Sequence, residues 1–217
     1  MDIRREPVTS DELGRFDDWV GLSRVTSGRH SRLFLLGLYV QSMRYQSINP
    51  AWVIRELRSM EGQIPTTGTK PATPFQRGVL SGLWHQHYAE VTMPSLIRNI
   101  QNSWHAQGMP FFEEGIRKAA SGEGPTHFTA ADAPAIANDM VCGAMARRRA
   151  AGALTGEWIV YAVHEGRNHY LSLWRHDGDD MQLRQSIEAM CVPFFPFLRD
   201  LLTPLPGAPY LAPERGP

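Results

Sequence analysis

Apolar positions recur at intervals of three and four through the first 60 residues. Leu13, Phe16, Trp19 and Val20 follow a Thr9–Glu12 pair spaced as a capping box, which predicts a helix starting at about residue 10. Ser23 to Gly28 interrupts the pattern. A second helix is predicted from about Ser31, with Leu33, Leu36, Val40 and Met43 inward. Asn49-Pro50 supplies an N-cap and a first-turn proline for a third, with Ile54 and Leu57 inside. Residues 61–74 hold three Pro, two Gly and four Thr and read as a loop or linker. They divide an N-terminal helical region, 1–60, from an α+β region, 75–202, and the same pattern also fits one domain.

Beyond the linker, Phe75, Val79 and Leu83 fit a helix, against which Gly78 and Gly82 weigh. Leu96, Ile97, Ile100 and Trp104 form a helical stripe behind Pro94, and a shorter helix follows Pro110. Thr129 heads a longer one with Ile136, Met140, Val141 and Ala144 on its inner face. The period then changes from helical to alternating. EWIVYAVHEG and RNHYLSLWRHDG are rich in β-branched and aromatic residues, which predicts a β-hairpin at about 156–176 with its turn at Glu165–Asn168. Placing His164 opposite His169 sets Glu157 against His176, Trp158 against Arg175 and Tyr161 against Ser172. Both faces are apolar at the centre, so both are expected to be covered. Asp179 or Asp180 caps a last helix with Leu183, Ile187, Met190 and Cys191 inward. Residues 203–217 contain five prolines and read as an extended or unstructured tail. The predicted class is α+β, predominantly helical, with a hairpin or small antiparallel sheet in the C-terminal half.

Charge changes this picture in one respect. Lys+Arg and Asp+Glu are both 22, so the chain of 217 residues has no overall pull toward nucleic acid or anionic membrane. A local basic face remains open, and apart from Lys70 and Lys118 every basic residue is Arg, the side chain suited to phosphate and carboxylate. Two cysteines, Cys142 and Cys191, are too few for a disulfide scaffold and read as buried thiols. The longest apolar run, Leu33 to Val40, is far below the ~20 residues of a membrane span. No membrane partner is expected. The charged N-terminus lacks a signal-peptide core, so the expected location is cytoplasmic, with secretion by a signal-less route left open.

Four groups of residues have candidate chemistry. At the open end of the hairpin, Glu157, His176 and Arg175, with Tyr161 deeper in, offer a metal-independent acid–base site for RNA. His or Glu would take the 2′-hydroxyl proton, and Arg would hold the phosphate. The same residues also fit a cross-strand ion pair. His85 and His87 lie on one face if their segment is extended, where they would need a further ligand to bind zinc. In a helix they diverge too far to share a metal, and Trp84 and Tyr88 would anchor that helix to the core with the two His at its edge. Arg147, Arg148 and Arg149 end a helix, where they suit either its dipole or a phosphate. Asp177-Gly178-Asp179-Asp180 fits a turn and helix cap better than a cation loop. No P-loop, GxGxxG, CxxC, HExxH or GxSxG is present, and neither a metal nor a cofactor is expected.

Over residues 130–190 a helix, aromatic-rich strands and Arg/His at the strand ends follow one another. In element order and residue type this stretch resembles the core of microbial ribonucleases of the barnase and RelE type. The resemblance implies a small toxin-like ribonuclease with His176 and Glu157 as acid and base, Arg175 on the phosphate, His85 or His87 as a second acid, and RNA as partner. The alternative is a non-catalytic protein–protein interaction module. Its aromatic content and proline-broken PFFPFL segment suit a partner surface or a homodimer interface.

Overall fold

The computed structural model describes residues 7–88, 93–175 and 178–205. The helices are α1 (Ser10–Val20), α2 (Leu22–Thr26), α3 (Arg32–Tyr39), α4 (Pro50–Met60), α5 (Met93–Gln107), α6 (Pro110–Ser121), α7 (Ala133–Asn138), α8 (Ala144–Ala150), α9 (Asp180–Met190) and α10 (Leu198–Leu201). Strands β1 (Thr73–Pro74), β2 (Trp84–His87), β3 (Trp158–His164) and β4 (Arg167–Trp174) form one sheet in the order β1-β2-β3-β4. The class is therefore α+β and predominantly helical, with a small sheet whose β1–β2 and β3–β4 pairs are antiparallel. Among the described residues no helix is long and apolar enough to cross a membrane.

Two compact units are present, and they alternate along the chain. Unit 1 takes the described parts of Met1–Arg44, Ala72–Gln86 and Trp158–Pro217, and unit 2 takes Tyr45–Pro71 and His87–Glu157. Helix α4 thus belongs with unit 2, and the loop over 61–74 is shared between the units.

Unit 1 starts with the capping box on α1: the Thr9 hydroxyl accepts from the Glu12 N–H at 3.2 Å, and the Glu12 carboxylate accepts from the Thr9 N–H at 2.8 Å. Leu13 and Phe16 are buried and Trp19 is exposed. Gly21 ends α1, and the chain resumes as α2, inside the stretch where only a break is predicted. In α3 the fully buried residues are Phe34 and Leu38; of the predicted inward set, Leu33 packs half-buried against the core, Leu36 and Val40 are half-buried, and Met43 is exposed. The cap sets this face. The Ser31 hydroxyl accepts from Phe34 N–H at 2.9 Å and donates to the Leu171 carbonyl at 2.6 Å, turning Phe34 onto Tyr170 in β4.

The hairpin is present, with a tighter turn than its sequence predicts. Glu165 and Gly166 both have positive φ, 50° and 71°, as a two-residue type I′ turn requires. His164 therefore pairs with Arg167 instead of His169, and Tyr161 pairs with Tyr170 instead of Ser172. A bulge follows between Val160 and Tyr161, with Leu171 the extra residue, so Trp158 pairs with Trp174 instead of Arg175. Both faces are covered. One packs Val160, Ala162 and Leu171 on Leu83, Leu183 and Ile187, each worth about 1.5–3 kcal/mol when a large aliphatic chain is buried. The other carries Phe34 on Tyr170. The free edge of β4 is closed by residues 29–31: Tyr170 N–H donates to the Arg29 carbonyl at 2.9 Å, and Ser31 N–H to the Tyr170 carbonyl at 2.8 Å. The opposite edge is the two-residue β1, which contains Pro74, so neither edge offers a long open ladder.

The helix predicted over 75–83 is instead a loop of turns leading into β2. Phe75 N–H donates to the Leu83 carbonyl at 2.8 Å. Gly82 has φ 95°, and a Cβ there would lie 2.4 Å from the Leu201 carbonyl oxygen. The same loop meets Arg184, which is 2% exposed on α9. Its guanidinium donates to the Val79 carbonyl at 2.6 Å, the Thr203 carbonyl at 2.7 Å and the Glu188 carboxylate at 2.9 Å. Cys191 is buried, which pushes its thiol up to about 11. Cys142 is exposed, contrary to the expectation of two buried thiols, because it falls in the outward-facing π-helical turn of 139–143.

Two histidines of unit 1 are held below their ordinary pKa. Burial lowers His30 against the opposing pull of Asp17, and burial followed by the Arg29 charge lowers His169. The unfolded chain then binds these protons more tightly than the folded one. Stability is full above the ordinary His value of about 6.5 and falls as the pH drops through it toward the lower folded values. A thermal midpoint lower at pH 5.5 than at pH 7.5 is expected, with the difference reduced in His30→Gln. A midpoint constant across that window would contradict the linkage.

In unit 2, α5 buries Ser95, Asn99, Ile100 and Ser103 and leaves Ile97 exposed, so its inward face is more polar than the predicted Leu96–Ile97–Ile100–Trp104 stripe. Asn99 explains this. Its amide donates to the Ser95 and Thr155 carbonyls at 2.9 and 2.8 Å and accepts from the Thr155 N–H at 2.9 Å. On α4, the buried Glu56 accepts from the Thr67 and Thr69 hydroxyls at 2.5 and 2.9 Å. The long helix expected after Thr129 begins at Ala133 and runs through a π-helical turn, Asp139–Gly143, into α8. That turn shifts the helix face, so Ala144 is buried and Val141 exposed.

Candidate functional site

The residues singled out in the sequence are dispersed. Tyr161 lies inside unit 1 at 4% exposure, between the rings of Trp84 and Tyr170. Burial pushes its phenol up to about 12, so it stays protonated at neutral pH. Arg175 is exposed at the end of β4, and Glu157 is the half-buried last residue of unit 2. His176 lies outside the described residues.

The segment of His85 and His87 is extended, as the chelating arrangement requires. The His85 ring is flanked by Phe75 and Trp158, each with its centroid 4.7 Å away. His87 is buried, and its Nδ1 lies 2.8 Å from the Gly156 carbonyl, to which it donates. Among the described residues no group of three or more His, Cys, Asp or Glu converges.

The three arginines divide. Arg147 donates to the Asp139 carboxylate at 2.6 Å and holds that carboxyl below the usual range. Arg148 donates to the Ala153 carbonyl, and burial lowers its pKa. Arg149 is exposed, and its backbone and Cγ pack over Gly68. Asp179 caps α9, accepting from the N–H groups of Met181 and Gln182 at 2.9 and 3.3 Å.

One concave surface stands out in unit 2. Helix α6 segregates its side chains: Phe112, Gly115, Ile116 and Ala119 share one side, and Glu113, Glu114, Arg117 and Lys118 the other. Such a helix ordinarily buries its apolar side, yet α6 has no buried residue. Between it and residues 125–128 lies a cleft of about 350 Å³. Phe111, Ile116 and Phe128 line it while remaining 42%, 50% and 37% exposed. Phe128 stacks on Phe112 with ring centroids 4.9 Å apart. Gly115 makes room for that ring, since a Cβ there would lie 2.6 Å from Phe128 Cζ. Glu114, Lys118, His127 and Asp132 supply polar groups around the apolar lining. Arg117 donates to Glu114 from Nε at 2.8 Å and from Nη2 at 2.7 Å, and these bonds hold the carboxyl down at about 2.

Sequence reasoning recognised the helix after Pro110 and none of these residues as a site. The signal was the apolar spacing at 112, 116 and 119. What it does not carry is whether another element covers that face.

The chain matches no protein-family model, and no curated protein and no solved structure is significantly similar to it.

Proposed function

We propose that this protein is a non-catalytic protein–protein interaction module that binds through the α6 cleft of unit 2. One observation supports the reading: a strongly amphipathic helix with no buried residue borders a cleft lined by exposed Phe111, Ile116 and Phe128. Covering apolar surface releases about 25 cal/mol per Å², so grouped exposed aromatics and aliphatics favour occupancy by another chain. A photo-cross-linking amino acid at position 116 is expected to yield a protein adduct in cells. The same group at exposed Arg24, in unit 1, is expected to yield none. Absence of an adduct from position 116 would overturn the reading.

A second reading is metal-independent RNA cleavage by Glu157, Arg175 and His176. The exposure of Arg175 directly after β4, at the open end of the hairpin, favours it. The expected result is degradation of total RNA by the purified chain in EDTA, lost in His176→Ala and in Glu157→Ala. RNA left intact by the folded chain would remove this reading.

A further inference from the structure

We infer that Arg149 and Arg55 of unit 2 form a binding site for a phosphate group. The three consecutive arginines at the end of α8 are the starting point, because the fold uses two of them and leaves the third. Arg147 is bonded to the Asp139 carboxylate and Arg148 to the Ala153 carbonyl. Arg149 is exposed and makes no ion pair among the described residues, and the same holds for Arg55 on α4. The two meet at a notch of about 10 Å³, whose other lining residues are Trp52, Glu56 and Thr67. The site shares no residue with the α6 cleft, and its failure would leave the interaction reading standing.

Both arginines are held in place. The stem of Arg149 crosses the loop at Gly68 so closely that a Cβ there would lie 2.7 Å from Arg149 Cγ. Arg55 Cζ sits 5.8 Å from the centroid of the half-buried Trp52 ring, a cation–π contact that steadies the guanidinium. Glu56 is the one acid in the lining. It is 3% exposed, and its two oxygens accept from the Thr67 and Thr69 hydroxyls. Its single charge does not balance two guanidiniums, so the notch keeps a positive charge. Arg58 adds to it, since the exposed residues of α4 are Ala51, Arg55 and Arg58, with no acid among them. Size and charge then select the ligand. The notch admits about one oxygen-sized atom, so a ligand enters by the tip of a group whose bulk stays outside. A carboxylate is satisfied by one guanidinium fork and leaves the second without a partner. A phosphate monoester carries about −1.5 to −2 charge and three acceptor oxygens, enough for both forks at once.

The test is an NMR titration of the full chain with inorganic phosphate at constant ionic strength. Saturating shifts are expected at the Arg55, Gly68 and Arg149 amides, with a dissociation constant on the order of millimolar. Arg149→Ala and Arg55→Ala are each expected to weaken binding about tenfold. Arg149→Lys should weaken it less, because the charge stays and the fork goes. Arg24→Ala, which removes an exposed arginine of unit 1, is expected to change nothing. Both site arginines are exposed, so the variants are expected to fold, and circular dichroism checks that they do. Adenosine monophosphate in place of inorganic phosphate separates the sources. Tighter binding with further shifts at Trp52 indicates an organic phosphate monoester, and equal binding indicates free phosphate. Shifts that never saturate, that acetate reproduces at the same concentration, or that persist unchanged in Arg149→Ala overturn the site.

Discussion

Arg184→Ala is expected to destabilise unit 1 by about 3 kcal/mol, a large share of the 5–15 kcal/mol that holds a typical domain together. The side chain is 2% exposed and joins three stretches of chain: α9 itself, the loop before β2 through the Val79 carbonyl, and the chain after α10 through the Thr203 carbonyl. Truncation removes two charge-assisted hydrogen bonds to backbone and leaves a cavity beside the core. Glu188 loses its partner at little cost, because its side chain is 40% exposed and takes up water. Arg184→Lys should be intermediate: one ammonium cannot reproduce a planar fork aimed at two carbonyls. Urea unfolding gives the magnitude, and faster hydrogen exchange at the β4 amides locates it in unit 1. A loss below 1 kcal/mol would show that the buried guanidinium does not hold these segments together.

Asn99→Ala is the corresponding experiment in unit 2, again with an expected cost of about 3 kcal/mol. Asn99 is 2% exposed and satisfies the N–H and C=O of Thr155, the residue that fixes the chain just before β3. Alanine strands both backbone groups in a buried place and opens a small void. Asn99→Asp retains the acceptor for Thr155 N–H and loses both donations, so it should also destabilise. Hydrogen exchange is expected to quicken at α5 and Thr155 and to stay unchanged at β4. Equal acceleration in both places would mean that the two units unfold as one.

What the sequence revealed follows from range. Caps were legible because their partners lie within three residues: Thr9 with Glu12, Asn49 with Ala51, Asp179 with Met181 and Gln182. The hairpin was legible from its alternation. Its register was not, because Gly166 permits a two-residue turn and the Leu171 bulge shifts the pairing again. Buried polar residues escaped altogether. Asn99 reads as a solvent-facing helix position, and its partner is 56 residues away; Arg184 reads likewise, with a partner 105 residues away. The cleft was half legible, since an amphipathic helix has the same pattern whether or not another element covers it. Tyr161, read from the alternation as lying deeper in the hairpin, is interior at 4% exposure.

The closure of the β4 edge by residues 29–31 has a consequence for how the chain is made. Ser31 and the Leu171 carbonyl it binds are 140 residues apart in sequence. A ribosome adding roughly 5–20 residues per second delivers the second partner on the order of ten seconds after the first. All of unit 2 emerges in that interval and can fold first. Through it, the face of α3 that carries Phe34 and Leu38 lacks β4, the strand it packs against in the finished protein. Biosynthesis thus reverses the order of the chain: α3, made before unit 2, is completed after it.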